Sequence, residues 1–301
     1  MSLGKENNVE IEETDKYYYA FESLVKRGRE EIDNDLESLR INQELIKKKL
    51  ESLTPAEVLR VENAKKIATI AECSVEYAIN TGWFGDNVNV TKTSKFDDIK
   101  FGVDEILEIK KEDSSSFMGL GIDVTYRGLL SEQYKHKFFG LLRSIRSGYK
   151  PKIKYFTNHT GEKMKQFSVP KTILYFNIND VKDFAIMIKH IDEPSGADSF
   201  KNSPQKFAVM NQMIIQCEKM AAFAEESNND IFKKYNDVVS SIKELALKNP
   251  ELQKMLDARH EDDVSLHMDY LIAEFKALEL EEKKHPTYIK NDPDRGIEDA
   301  A

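Results

Sequence analysis

The sequence predicts an α/β (α+β) fold: a compact module with a central sheet, flanked by long helices that read as coiled-coil-like. Two observations predict it. The apolar period is near seven before residue 53, close to two over 103–109 and 118–126, and helical again after residue 203. Helix-start signals mark the first and last of these changes, at Thr54-Pro55 and Ser203-Pro204. With 301 residues, 40% of them apolar and 32% charged, the chain is long enough to bury a real core.

Taken in order, residues 16–53 are strong helix formers in which Val25, Ile32, Leu39, Ile46 and Leu53 recur at an interval of about seven, a narrow stripe suited to a helical arm. Thr54-Pro55-Ala56-Glu57 has the pattern of a capping box and opens a helix to about residue 80. Its apolar face is drawn from Val61, Ala64, Ala68, Ala71, Val75, Ala78 and Ile79, and Trp83 just beyond it is expected to plug the core. Residues 103–109 and 118–126 read as a hairpin of strands around a Ser-rich turn, 130–147 as an amphipathic helix, 153–156 and 172–176 as further strands, and 180–190 as a helix. Beyond a linker, Ile231, Tyr235, Val238, Ile242 and Leu245 form a second coiled-coil-like stripe. The organisation expected is an arm over 1–53, an α/β domain over 54–192, a C-terminal helical region over 193–285 and a disordered tail over 286–301.

Composition excludes several classes. Two cysteines far apart, Cys73 and Cys217, make neither a disulfide framework nor a sulfur-ligated zinc site and point to a reducing compartment. The start of the chain is polar and acidic, and no uncharged run approaches the ~18 residues of a membrane span. A cytoplasmic protein with no membrane partner is expected. No phosphate loop, HExxH or GxSxG pattern occurs, and the six histidines show no ligand spacing.

A net charge of −9 argues against general nucleic-acid binding, but the charge is uneven. Between Arg127 and Lys171 there are eleven basic residues and only Glu132 and Glu162, so this window carries +9 and the remainder −18. Within it Arg127, Lys135, Arg143, Arg146, Lys150, Lys152 and Lys154 are the candidates for contacts with nucleic-acid phosphates, DNA or RNA. The alternative is that these cations solvate a helix and edge strands.

The acids of the two middle strands are the second anomaly. Asp104 opens one strand, and Asp123 lies inside the apolar run Gly121-Ile122-Asp123-Val124, where an unpaired carboxylate is costly. Carboxylates on adjacent strands can hold one hard divalent ion such as Mg²⁺ or Mn²⁺. Glu72 supplies a third acid on an otherwise apolar helix face, with Glu76 one turn later as a substitute. Otherwise Asp104 caps a turn and Asp123 pairs with a basic residue such as Lys137. Asp97 and Asp98 read as turn and capping residues.

These residues resemble a known family. A helix with an inward Glu72, a strand opening with Asp104, a second strand with Asp123-Val124-Thr125, then an amphipathic helix and a strand over 152–156, are similar to the core of the PD-(D/E)xK, or restriction-endonuclease-like, nuclease superfamily, over roughly residues 60–157. The resemblance implies a mixed sheet flanked by helices, metal held by Asp104 and Asp123 with Glu72 in support, and hydrolysis of phosphodiesters. Thr125 stands where the family has its lysine. Lys137 is the candidate replacement, one turn from each of the packing positions Tyr134 and Leu141, with Lys135 and Arg127 as lesser ones. A catalytically inactive nucleic-acid-binding or coiled-coil protein, forming a homo-oligomer through its helical arms, is the alternative.

Overall fold

A computed structural model describes residues 51–110, 117–126, 130–189, 203–226, 229–248 and 263–284, together with residues 47, 200, 250, 253 and 254. Most of the N-terminal arm, Arg127 and the tail over 286–301 lie outside the described residues.

Helix α1, Pro55–Ala78, starts as its sequence dictates: Thr54 Oγ1 accepts from the backbone N–H of Glu57, and Glu57 Oε2 accepts from that of Thr54 at 2.8 Å. Burial begins only at Ile70, and Val61, expected on the apolar face, is 41% exposed. A wider turn, Ile79–Trp83, ends the helix around Gly82, whose φ of 97° is open to glycine at little cost. Trp83 is buried against Phe184 and Phe200 and donates its indole N–H to the carbonyl of Phe200.

The sheet follows. Strands β1 (Val88–Lys92), β2 (Glu105–Lys110) and β3 (Phe117–Thr125) are antiparallel, and α2 (Lys95–Phe101) lies between the first two. After α3 (Glu132–Arg146) come four two-residue strands, β4 (Lys152–Ile153), β5 (Phe156–Thr157), β6 (Lys163–Met164) and β7 (Phe167–Ser168), paired β4 with β7 and β5 with β6. Strand β8 (Lys171–Tyr175) then joins β3 in parallel, giving the order β1-β2-β3-β8. The result is a four-stranded mixed sheet, with α2 inserted between β1 and β2 and the four short strands between α3 and β8.

The strand that joins the sheet after α3 is therefore 171–175 and not 152–156. Asp97, buried on α2, takes the donors that residues 154 and 155 would offer a sheet: its carboxylate accepts from the backbone N–H of Lys154 and of Tyr155, each at 2.9 Å. The segment stays out as an excursion on its own small core of Val103, Ile106, Ile153, Phe156 and Val169. The cap of α2 is Ser94, not Asp97 as expected: the Ser94 hydroxyl accepts from the backbone N–H of Asp97 at 3.1 Å.

Among the described residues four more helices follow: α4 (Ile178–Lys189), α5 (Pro204–Glu225), α6 (Asn229–Leu247) and α7 (Asp263–Lys284). Every residue from Val209 to Cys217 on α5 is buried, so this helix is enclosed on all sides. The stripe Ile231, Tyr235, Val238 and Ile242 of α6 is buried within the main core, which also takes in the sheet, α1 and α3. The outer edge of β8 is sealed by side chains. The Tyr235 hydroxyl donates to the carbonyl of Lys171 and accepts its N–H, Gln216 bonds both backbone groups of Ile173, and Gln212 does the same for Tyr175. Gln212 and Gln216 are four apart on α5, so one helix face matches the two-residue repeat of the strand. Among the described residues no helix is long and apolar enough to cross a membrane.

Candidate functional site

Register places the two acids. Glu105 pairs with Ile122, so the preceding step sets Asp104 opposite Asp123 on neighbouring strands. The Asp104 N–H donates to the carbonyl of Ile122 at 2.9 Å, and its Oδ2 accepts from the N–H of Val124 at 2.7 Å, which fixes the carboxylate at the mouth of the hairpin. Paired residues share a face, so both acids lie on the side of the sheet covered by α3.

Lysines from two further elements converge on Asp123. Lys137 Nζ on α3 is 2.6 Å from Oδ1, and Lys171 Nζ on β8 is 2.9 Å from Oδ2. Helix α3 is set by its cap, Ser131, and by Tyr134 and Leu141, both buried as the helical spacing implies. Lys171 reaches Asp123 across Gly102. With φ at 57°, this glycine ends α2, and a Cβ there would stand 2.9 Å from the lysine Nζ.

The electrostatics of the two acids differ in direction. Burial raises the pKa of Asp104 well above the usual carboxylate range, and the negative charges of Glu72, Asp98 and Asp123 add to that. Burial also acts to raise Asp123, but Lys137 and Lys171 outweigh it and hold the group below its ordinary value. Lys137 shifts upward in response: burial acts against its charge, and Asp123 and Asp104 outweigh that.

Both acids and both lysines line one open cleft of about 620 Å³. Its other cationic walls are Lys100, Arg143 and Lys150, and Asp98 and Tyr235 also line it. Of the sequence candidates, Asp104, Asp123 and Lys137 are brought together. Glu72, half-buried on α1, is near enough to repel charge on Asp104. Among the described residues, however, no three of His, Cys, Asp and Glu form a group that could hold a metal ion, so the expected three-acid set is not gathered. The donors that remain, two opposed carboxylates, fit the one or two carboxylates plus waters with which Mg²⁺ is usually bound.

The basic candidates separate into groups. Arg143 is exposed on the cleft wall. Lys135 pairs with Glu274, Lys150 with Asp230, and Arg146 with Glu279 and Glu226 while lying over the Phe223 ring. Acids of the C-terminal helices therefore neutralise part of the basic window. Lys152 is exposed but does not line the cleft, and Lys154 lies over the Phe96 and Tyr155 rings. Arg127 falls outside the described residues. The sequence reading missed Lys100, Lys171 and Tyr235 as parts of the cleft. Lys171 was visible only as one more charge of the window, because its position depends on which segment becomes the fourth strand.

Comparison with known proteins returns no matching family model, no matching curated protein and no matching solved structure.

Proposed function

We propose that this chain is a metal-dependent nuclease that hydrolyses nucleic-acid phosphodiesters in the cleft over β2 and β3. The observation that carries the reading is the opposed pair Asp104 and Asp123, one pushed toward protonation and the other held ionised, in a cleft walled by five cationic side chains. In support stands the resemblance of the Asp104, Asp123 and Lys137 pattern to the PD-(D/E)xK superfamily, with the two acids on neighbouring strands and the lysine on the helix that follows.

When bound, Mg²⁺ or Mn²⁺ would polarise the scissile phosphate and lower the pKa of a coordinated water. The residues of the chain do the rest. Asp104 and Asp123 would hold the ion, with Glu72 contributing negative potential from α1. Lys137 and Lys171, paired with Asp123 at the cleft wall, would supply the ammonium groups that stabilise negative charge developing on the phosphate. Arg143 and Lys100 orient the strand through its neighbouring phosphates.

The test is cleavage of mixed single- and double-stranded nucleic acid with Mg²⁺ or Mn²⁺, by the wild type and by Asp104→Asn and Asp123→Asn. Cleavage in the wild type that both variants lose is the expected result. Unchanged cleavage in both sinks the assignment. A second reading, binding without cleavage, is favoured by Thr125 at the position of the family's lysine and by the engagement of both Asp123 oxygens with lysines. It predicts metal-independent binding that weakens steeply with salt.

A further inference from the structure

Next to the acid cleft is a second cavity, of about 390 Å³, and the two share Val169 and Pro170 as a common ridge. This ridge is tied to the sheet, with the carbonyl of Pro170 accepting the N–H of Gly121 at 2.8 Å. It packs so closely there that a Cβ on Gly121 would stand 3.2 Å from the Val169 side chain. Gly119 lines the second cavity and Asp123 the first. They lie four residues apart on the same side of β3, so these two wall positions are ~13 Å apart, at ~3.3 Å per residue.

The two cavities differ in chemistry. The walls of the second are apolar, formed by Met164, Phe167, Val169 and Pro170, with the Phe167 ring braced edge-on against Phe156 at 5.5 Å. Its rim carries two carboxylates, Glu162 and Asp237, and Lys234, whose Nζ is anchored on the carbonyl of Ser168 at 3.0 Å. Rim carboxylates disfavour a phosphate. Apolar walls with an acceptor-rich rim suit a flat, neutral ring whose edge bears amino groups.

We propose that this cavity receives one unstacked nucleobase, close along the strand from the phosphate held over Asp104 and Asp123, and that the substrate is therefore single-stranded nucleic acid. The inference rests on the nuclease reading. A base inside a duplex cannot enter a pocket of this kind without leaving its stack, whereas a single strand offers its bases freely. Amino groups of the base donate to Asp237 or Glu162, Lys234 donates to a ring nitrogen or carbonyl, and Phe167 and Met164 cover its face. The ridge sets the spacing between base and phosphate.

The experiment is an abasic scan. The full chain is titrated in Ca²⁺ with single-stranded oligonucleotides, each lacking the base at one position, and cleavage of the same set is followed in Mg²⁺ or Mn²⁺. One or two adjacent positions are expected to weaken binding about five- to 150-fold, the range of one lost base stack. Met164→Trp, which fills the cavity, should remove that position dependence, and the wild type should bind and cut a single strand in preference to the matching blunt duplex. A flat scan with metal-dependent cleavage intact overturns the base pocket and leaves the nuclease reading standing. Failure to bind or cut any oligonucleotide overturns both.

Discussion

Asp104 and Glu105 are consecutive residues with opposite surroundings. Successive side chains of a strand point to opposite faces, so Glu105 turns toward α1 and Asp104 toward the cleft. Beneath α1, Glu105 is fully buried opposite Lys92, its cross-strand partner. Lys92 Nζ donates to Cys73 Sγ at 3.2 Å and stands 3.9 Å from Glu76. Burial acts against the ammonium charge there, but Cys73, Glu105, Glu72 and Glu76 outweigh it and raise its pKa. On the other face two lysines serve Asp123, while burial, with the charges of Glu72, Asp98 and Asp123, pushes Asp104 toward its protonated form. Desolvated charge is common to both clusters. They differ in access: the first is closed around its lysine, and the second opens on the cleft. Burial of a charged group is thus weak grounds for assigning function, and an opening beside opposed acids is stronger.

The comparison is broken most directly by activity. Asp123→Ala is expected to lower metal-dependent cleavage at least ~10²- to 10³-fold, the scale of losing one electrostatic stabiliser, while Glu105→Gln leaves cleavage per folded molecule unchanged. Equal losses would mean that the two faces act as one site. Stability should move the other way. Glu105→Gln removes a partner of Lys92 and is expected to cost about 3 kcal/mol in chemical denaturation, the lower end for breaking a buried pair.

Asp104→Asn sharpens the contrast through pH. Because the folded pKa of Asp104 is raised, folding takes up a proton. Wild-type stability should therefore fall as pH rises from the ordinary carboxylate range through the raised value. The variant should be more stable than the wild type above that window and equal to it below, as read from denaturation at a series of pH values. Asp123 has the opposite sign: its contribution is present above the ordinary carboxylate pKa and is lost as pH falls through its lowered value. Mg²⁺ at ~100 times its dissociation constant should stabilise the wild type by about 2.7 kcal/mol and Asp104→Asn by much less, which thermal melts with and without the ion would compare.

Smaller effects are expected around the supports. Tyr235→Phe deletes the hydroxyl that bonds both backbone groups of Lys171 and should cost about 1–3 kcal/mol by leaving them unsatisfied. The smallest effect concerns Cys73, whose thiol burial raises to about 11. Alkylation at pH 8 should leave it intact in the native protein and modify it only on unfolding.

Much of this was readable from the residues alone. Asp123 stood out because a carboxylate inside an apolar run needs a partner, and Lys137 followed from helical spacing that sets it beside a packing face. The cap at Thr54 and the core role of Trp83 were local signals, and local signals survive folding. Lys171 was not readable, since the short ladders over 152–168 separate it from α3 and nothing in its own neighbours marks a parallel partner for β3. Strand β1 was overlooked for a similar reason: with only five residues and two buried valines, its pattern is brief. Counting charge along the chain also misled, because Asp230, Glu274 and Glu279 are distant in sequence from the lysines and arginine they neutralise.

The sealed edge of β8 bears on how the chain can go wrong. An open strand edge is a template for intermolecular pairing, and here Gln212, Gln216 and Tyr235 occupy the donors and acceptors that a second molecule would use. That protection depends on α5 and α6 being docked. Any partly unfolded form in which these two helices detach before the sheet melts exposes three residues' worth of unpaired backbone at once. Aggregation should therefore track the detachment of the helical hairpin, at denaturant concentrations below those that dissolve the sheet itself.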